Sequence, residues 1–184
     1  MQEYSSIGML EYTSIAAGID ASDRMLKAAG VTPLFMKTIC PGKFLAGISG
    51  ELAAVEASMN AGCAVSPETL ADSLVIANVH SGVVAALSGC TPLHERLALG
   101  VIETFSVASA ILAADKAVKA ANIRLLDIRT ALGLGGKGYV LLSGDVAAVQ
   151  AAVDAGAFEA SEKGLLVGVT VLPRPADALL NQLV

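Results

Sequence analysis

The chain has 184 residues, of which 54% are hydrophobic and 4% aromatic, and its formal net charge is −5. The acidic balance and the lack of a basic run argue against a nucleic-acid surface, and the longest uncharged stretch, 73–94, holds too many polar residues to span a membrane. Three cysteines without C-x-x-C spacing, Cys40, Cys63 and Cys90, favour a reducing compartment and no disulfide framework.

The first half of the chain predicts the element order β-α-β-β-α-β-α. Short apolar runs between polar turns predict the strands, and Thr13 or Ser14 is expected to cap the first helix. Gly30 and Gly62 are expected to end the two longer helices, and Pro41-Gly42 predicts a turn between paired strands. The predicted elements are strand Ser6–Tyr12, a helix ending before Gly30, strands Val31–Ile39 and Lys43–Ser49, helix Glu51–Asn60, strand Ser73–Val79, helix Ser81–Leu87 and a link at Gly89–Pro92.

The second half repeats the first. Twelve of the 33 pairs from Ile7/Leu99 to Ile39/Ala131 are identical, and such a repeat must be recognised before a fold is assigned. We therefore predict two α+β domains, 1–92 and 93–184, each of the split βαβ kind with a mostly antiparallel sheet and helices on one face. The predicted elements are strand Leu99–Thr104, helix Ser106–Ala121, strands Ile123–Ala131 and Gly138–Ser143, helix Asp145–Ala155, strand Leu165–Leu172 and helix Ala176–Leu183.

Both copies carry the same spaced motifs. These are Gly-x-x-Glu-(Thr/Tyr)-x-Ser, Ala-x-Asp-(Arg/Lys)-x-x-Lys-Ala-Ala and Ser-Gly-(Glu/Asp)-x-Ala-Ala-Val, and Val-x-Pro-Arg-Pro closes the second copy. Together they resemble the bacterial microcompartment shell domain over nearly the whole chain. The resemblance implies a shell protein whose tandem domains form a trimer with pseudo-sixfold symmetry. It also implies tile-edge roles for Lys27, Lys119 and Arg174, whereas Val79, taken as the counterpart of Arg174, differs.

In that family the turn after the second strand lines the central pore. The resemblance thus implies that two sets of turn residues lie at the pore, Cys40, Pro41, Gly42 and Lys43 in one copy and Gly133, Gly135 and Gly136 in the other. Cys-Pro-Gly-Lys-Phe, from Cys40 to Phe44, is similar to the turn of tandem shell proteins of propanediol-utilisation compartments. There, one cysteine from each of three subunits holds a [4Fe–4S] cluster, so the resemblance implies that Cys40 is a metal ligand in electron transfer across the shell.

The spacing of the cysteines argues against a cluster held by one chain alone. A cluster needs three or four converging thiolates, and the 22 and 26 residues between the cysteines provide no local pair. A threefold axis through the Cys40 turn would supply three, with amides near Gly42 and Lys43 as candidate donors to the cluster sulfurs. Cys63 and Cys90 are expected only to fill space.

Two other functions stay open. The first is a metal-free tile whose pore admits metabolites. The second is a trimeric sensor of a small ligand or nucleotide, since 133–138 fits G-x-G-x-x-G, although a strand is predicted after it where that motif needs a helix. No catalytic residue is predicted. Glu11 and Glu103 recur in both copies as fold residues, and His80 and His94 are expected to be cap or surface residues that nothing pairs with a nucleophile.

The implied partners are further copies of the chain in a homotrimer, other microcompartment shell proteins and a lumenal redox enzyme, with neither nucleic acid nor membrane among them. The implied location is the microcompartment shell in the cytoplasm.

Overall fold

The computed structural model describes residues 6–88, 97–130 and 133–183. The first half contains β1 (Ser6–Tyr12), α1 (Ile15–Ala28), β2 (Thr32–Ile39), β3 (Lys43–Gly50), α2 (Leu52–Cys63), β4 (Leu70–Ala77) and α3 (Ser81–Ser88). The second contains β5 (Ala98–Thr104), α4 (Val107–Ala120), β6 (Arg124–Thr130), β7 (Gly138–Gly144), α5 (Val146–Glu162), β8 (Leu166–Leu172) and α6 (Asp177–Leu183). The predicted α+β class and the order of elements are confirmed in both halves. A 3₁₀ turn, Pro67–Thr69, is an addition that the sequence does not predict.

Each half forms its own four-stranded sheet. The strand orders are β2-β3-β1-β4 and β6-β7-β5-β8, and every described pairing is antiparallel. Ser14 caps α1 as predicted, with its side-chain oxygen accepting a hydrogen bond from the Ala17 N–H at 3.3 Å. In the described part of the chain, no helix combines the length and apolar character needed to cross a membrane.

The strand registers correct one predicted equivalence between the copies. Ile76 and Leu172 occupy the same place in the two ladders, each opposite the equivalent residue of the central strand. Counting two residues onward from each makes Asn78 the counterpart of Arg174. The prediction of Val79 is wrong by one residue, because the offset between the copies is larger in this strand than elsewhere.

The two long helices of each unit pack together across one face of the sheet, α1 with α2 and α4 with α5. The predicted ends of α2 at Gly62 and of α5 at Ala155 are wrong, since the helices run on to Cys63 and Glu162. A Cβ on Gly156 would lie 2.6 Å from the Ala113 carbonyl oxygen. Glycine therefore lets α5 approach α4 closely inside the helix, and it does not mark the helix end.

The core of the first unit lies between its sheet and the α1–α2 pair. Tyr12 is fully buried there, and its hydroxyl donates a hydrogen bond of 2.7 Å to the Gly62 carbonyl. A buried hydroxyl without such a partner would be costly, so the bond fixes the end of β1 against α2. The buried members of this core are Leu10, Tyr12, Ala21, Met25, Phe44, Ala46, Ile48, Val55 and Met59.

In the second unit, α6 covers the opposite face of the sheet. Gly100 of β5 faces α5, because a Cβ there would meet Val153, so its neighbour Leu99 points to the other side. Leu99 packs with Leu141 and with Leu180 of α6. The prediction that helices occupy one face is therefore wrong for α6, since the second face of this sheet is apolar and also needs cover.

The described chain divides into two compact units. The first extends to Val79 and includes the turn 133–136, and the second holds His80–Thr130 and the chain from Lys137 onward. Helix α3 thus belongs to the second unit, where it packs against β6 and α4. The predicted boundary between 92 and 93 and the predicted link at Gly89–Pro92 lie outside the described residues and stay predictions.

Candidate functional site

The β2–β3 hairpin presents the Cys40 thiol on a tight turn. Ile39 and Lys43 pair across its base, and the Gly42 N–H donates a 3.1 Å hydrogen bond to the Ile39 carbonyl. Gly42 has φ +86°, which L side chains rarely adopt, so glycine is required at this point. Cys40 is half-buried and free, whereas Pro41 and Gly42 are exposed.

An ion pair holds the base of this turn. The Lys43 Nζ donates to the Glu11 Oε1 at 2.7 Å, and the Glu11 side chain is buried. The equivalent pair in the second unit joins Lys137 to Glu103 at 3.0 Å, with both side chains about 40% exposed. Both acids therefore hold the lysine that follows a turn, in agreement with the expected fold role.

The glycine-rich turn of the second copy lies against the cysteine turn within the first unit. Gly133, Gly135 and Gly136 all have positive φ. A Cβ on Gly136 would lie 2.9 Å from the Pro41 Cδ and 3.3 Å from the Cys40 carbonyl oxygen. The structure thus brings the two predicted sets of turn residues together, and a strand, β7, follows the glycines. The turn therefore has no helix N-terminus behind it that would bind a dinucleotide pyrophosphate.

One thiol per chain is available at this turn. Among the described residues, no three His, Cys, Asp or Glu side chains are grouped so as to hold a metal ion. Cys63 lies at the end of α2, where burial raises the pKa of its thiol and a hydrogen bond with the Ser73 side chain offsets part of that rise. Cys90 lies outside the described residues. The donor set therefore fits an iron–sulfur cluster only where several copies bring their Cys40 thiolates together.

The predicted tile-edge lysines occupy the last turns of equivalent helices. Lys27 pairs with Asp23 and Lys119 with Asp115, each at 2.6 Å. Arg174 is exposed just beyond β8. The first pair is exposed, but the Asp115 carboxylate is buried, so the two helices have different surroundings in spite of their common sequence.

A polar contact at the start of α3 was not predicted from the sequence. The His80 backbone N–H donates to the Asp115 Oδ1 at 2.9 Å, and the His80 Nδ1 accepts from the Gly82 N–H at 3.1 Å. His80 is thus a helix-start residue, as expected, whereas His94 lies outside the described residues. The identity of Asp23 and Asp115 in the two copies was the available indication that this carboxylate has a structural task.

Comparison with known proteins gives a consistent family. The BMC domain model matches twice, over residues 6–79 and 98–175. The chain is 47% identical over 179 residues to the bacterial microcompartment shell protein PduT of Citrobacter freundii. The aligned residues make up 97% of this chain and 97% of that protein.

Two solved structures share the fold. A crystal structure of a microcompartments protein from Desulfitobacterium hafniense DCB has a TM-score of 0.84 and 48% identity, covering 96% of this chain and 98% of that one. A fused permuted hexameric shell protein from the RMM microcompartment has a TM-score of 0.66 over 85% of this chain and 81% of that one. At 23% identity, the second comparison bears on the fold alone.

Proposed function

The chain belongs to the BMC domain family as a structural shell protein with two tandem domains, similar to PduT, and on that premise we propose that it forms a trimeric tile with a [4Fe–4S] cluster at its centre. Its place is the shell of a bacterial microcompartment. One Cys40 from each of three copies would hold the cluster on the threefold axis. The observation that carries this proposal is the half-buried free thiol on the tight turn that begins at Cys40.

The number of repeats supports the trimer. The family resemblance implies that single-domain members form hexamers. Three chains with two domains each would supply the same number of domains, six. A homotrimer also turns one cysteine per chain into three, which is the smallest number that an iron–sulfur cluster requires. The donor requirement and the domain number thus lead to the same assembly.

The surroundings of Cys40 fix its turn in place and leave the thiol half-buried, which suits a metal ligand. The buried Lys43–Glu11 pair fixes one end of the turn, and Gly136 lies against Pro41 on the other side. Among the amides near Gly42 and Lys43 that are expected to donate to cluster sulfurs, the Gly42 N–H already has the Ile39 carbonyl as an acceptor.

A [4Fe–4S] cluster supplies one-electron redox chemistry when bound. Three protein thiolates leave a fourth iron position for water, a small molecule or a ligand from a partner. The chain itself is proposed to be non-enzymatic, to conduct electrons across the shell and to meet other shell proteins at its edges. A lumenal redox enzyme would take the electrons, and the likeness to PduT favours a propanediol-utilisation compartment.

Iron content tests the proposal. Protein purified without oxygen is expected to be brown and to contain about 1.3 iron atoms per chain, which is four per three chains. Cys40→Ser should remove the iron and the visible absorption while the native mass stays that of a trimer. Cys63→Ser is the matched control and should keep both.

Protein that stays colourless and cannot be reconstituted with iron and sulfide overturns the cluster. A trimer of that kind is then a metal-free tile with a metabolite pore. Iron retained in Cys40→Ser equally overturns the assignment of this ligand.

A further inference from the structure

The same helix face is buried in one repeat and exposed in the other. Ile111 of α4 is fully buried, whereas its counterpart Ile19 of α1 is 55% exposed. Likewise the Asp115 side chain is 1% exposed and that of Asp23 is 56% exposed. Since the sequence of this face is shared, its exposure on α1 indicates a contact that one chain leaves incomplete.

The segment that follows β4 lies against this face of α4. Helix α3 packs on α4 and β6, and the His80 N–H, just before α3, donates to the Asp115 carboxylate at 2.9 Å. That carboxylate also accepts from Lys119 at 2.6 Å. Asp115 therefore receives one donor from its own helix and one from the segment after β4.

The strand registers identify the equivalent of that segment. Ile76 and Leu172 are equivalent, so four residues further along the chain Ala176 is the counterpart of His80. Ala176 is exposed, and α6 begins at the next residue, as α3 does after His80. One chain thus exposes the two surfaces that correspond to the α4 contact with the segment after β4. These surfaces are the α1 face and the segment at Ala176.

Residues of β8 beside that segment are also more exposed than their counterpart in β4. Leu74 of β4 is buried, and its counterpart in β8, Thr170, is exposed. Val169 next to it is 47% exposed. The exposed surface thus extends from the segment after β8 into the strand itself.

We propose that the α1 face formed by Ile15, Ile19 and Asp23 binds the segment after β8 of a second copy of this chain. In that contact the Ala176 N–H of the neighbouring copy donates to the Asp23 carboxylate, which Lys27 already holds at 2.6 Å. The two surfaces differ, so the contact is head-to-tail and closes into a ring when the rotation between copies allows it. The inference rests on the proposed trimer and names the residues that join its copies.

Disulfide trapping tests this pairing. In a background with Cys40, Cys63 and Cys90 replaced by serine, Asp23→Cys combined with Ala176→Cys should form covalent dimers and trimers on oxidation. The matched control combines Asp115→Cys with His80→Cys, whose bond should close within one chain and leave the mass unchanged. If the control closes and the first pair stays monomeric under denaturing conditions, the proposed contact is wrong.

A second variant tests the apolar part of the surface without cysteines. Ile19→Glu places a charge on the α1 face and should raise the dissociation constant of the assembly at least about tenfold. Asp20→Asn, an exposed neighbour on the same helix, should leave it unchanged. Native mass spectrometry reads the assembly, and far-UV circular dichroism confirms that both variants fold.

The outcomes separate this inference from the proposed function. Trapped trimers in the serine background, together with parent protein that stays colourless and iron-free, support the contact and overturn only the cluster. A brown parent trimer whose assembly does not respond to Ile19→Glu, together with an Asp23→Cys/Ala176→Cys variant that forms no bond in the serine background, overturns the contact and leaves the cluster standing.

Discussion

At the scale of single residues, the two described cysteines have different surroundings, and these give their thiols different expected roles. Cys40 lies on a turn next to exposed Pro41 and Gly42, whereas Cys63 closes α2 beside the core. Burial raises the pKa of the Cys63 thiol, which disfavours the thiolate that binds metal or attacks an electrophile. Cys63 is therefore expected to be an inert residue.

The pH dependence of alkylation should show this. A raised pKa keeps Cys63 protonated at neutral pH, so its labelling by iodoacetamide should be slow and should keep rising beyond pH of about 8.5, the usual thiol pKa. Peptide mass spectrometry on a variant with both Cys40 and Cys90 replaced by serine gives the rate at Cys63 alone. A rate at Cys63 that is already maximal at neutral pH would contradict the prediction.

The two glutamate–lysine pairs are a second case of equal sequence in unequal surroundings. Glu11 is buried beneath Lys43, and Glu103 is partly open to solvent beside Lys137. Removing one partner of a buried pair leaves an uncompensated charge. Water and salt screen an open pair, which then contributes little.

Glu11→Gln should therefore destabilise the protein by about 3 kcal/mol, and Glu103→Gln by less than about 1 kcal/mol. Denaturant unfolding of both variants and of the parent measures the free energies. Losses of the same size in the two variants would show that burial does not distinguish the pairs.

At the scale of elements, the meeting of the two turns depends on a glycine. Gly136 has φ +89°, and a Cβ there would lie 2.9 Å from Pro41. Gly135 has φ +62°, and a Cβ on Gly135 would have no neighbouring atom within 4 Å. The two glycines therefore share the backbone requirement and differ in the contact.

Gly135→Ala should cost about 1 kcal/mol of backbone strain. Gly136→Ala should cost about 3 kcal/mol, since the methyl group also displaces the cysteine turn. Thermal or denaturant unfolding checks the difference. If the two alanine variants are equally stable, the turns do not depend on this contact.

The sequence predicts every strand except β4 to within one residue, whereas β4 begins three residues earlier than predicted and α2 and α5 end three and seven residues later. β1 is predicted to the residue, since its apolar run is bounded by polar neighbours. The helices run past Gly62 and Gly156 because helix packing, and not local propensity, sets the role of those glycines. The side of the sheet that α6 covers also depends on tertiary packing, which a local pattern does not contain.

The candidate site was predictable in part for the same reason. The repeat identifies the turns, and Glu11 and Glu103 recur visibly as a pair. That Gly136 lies on Pro41, or that Asp115 receives the His80 N–H, depends on contacts between residues far apart in the chain. Identity between copies marks such residues without telling what they touch.

At the scale of the whole molecule, composition agrees with an assembling protein. The mean hydropathy is +0.66, and several large apolar side chains are exposed, among them Ile19, Phe158 and Val169. Large exposed apolar patches mark surfaces that meet other proteins. The α1 face would account for one such surface, since the proposed contact would bury Ile19 between two copies of the chain.

Covalent duplication also fixes a composition that separate subunits could not guarantee. Two distinct hairpins, one bearing sulfur and one built of glycines, are joined on every polypeptide in a one-to-one ratio. In the proposed trimer the two kinds would alternate around the centre, so every particle would have the same chemistry at its axis. Independent single-domain subunits would instead mix at random, and most particles would carry too few thiols or too many.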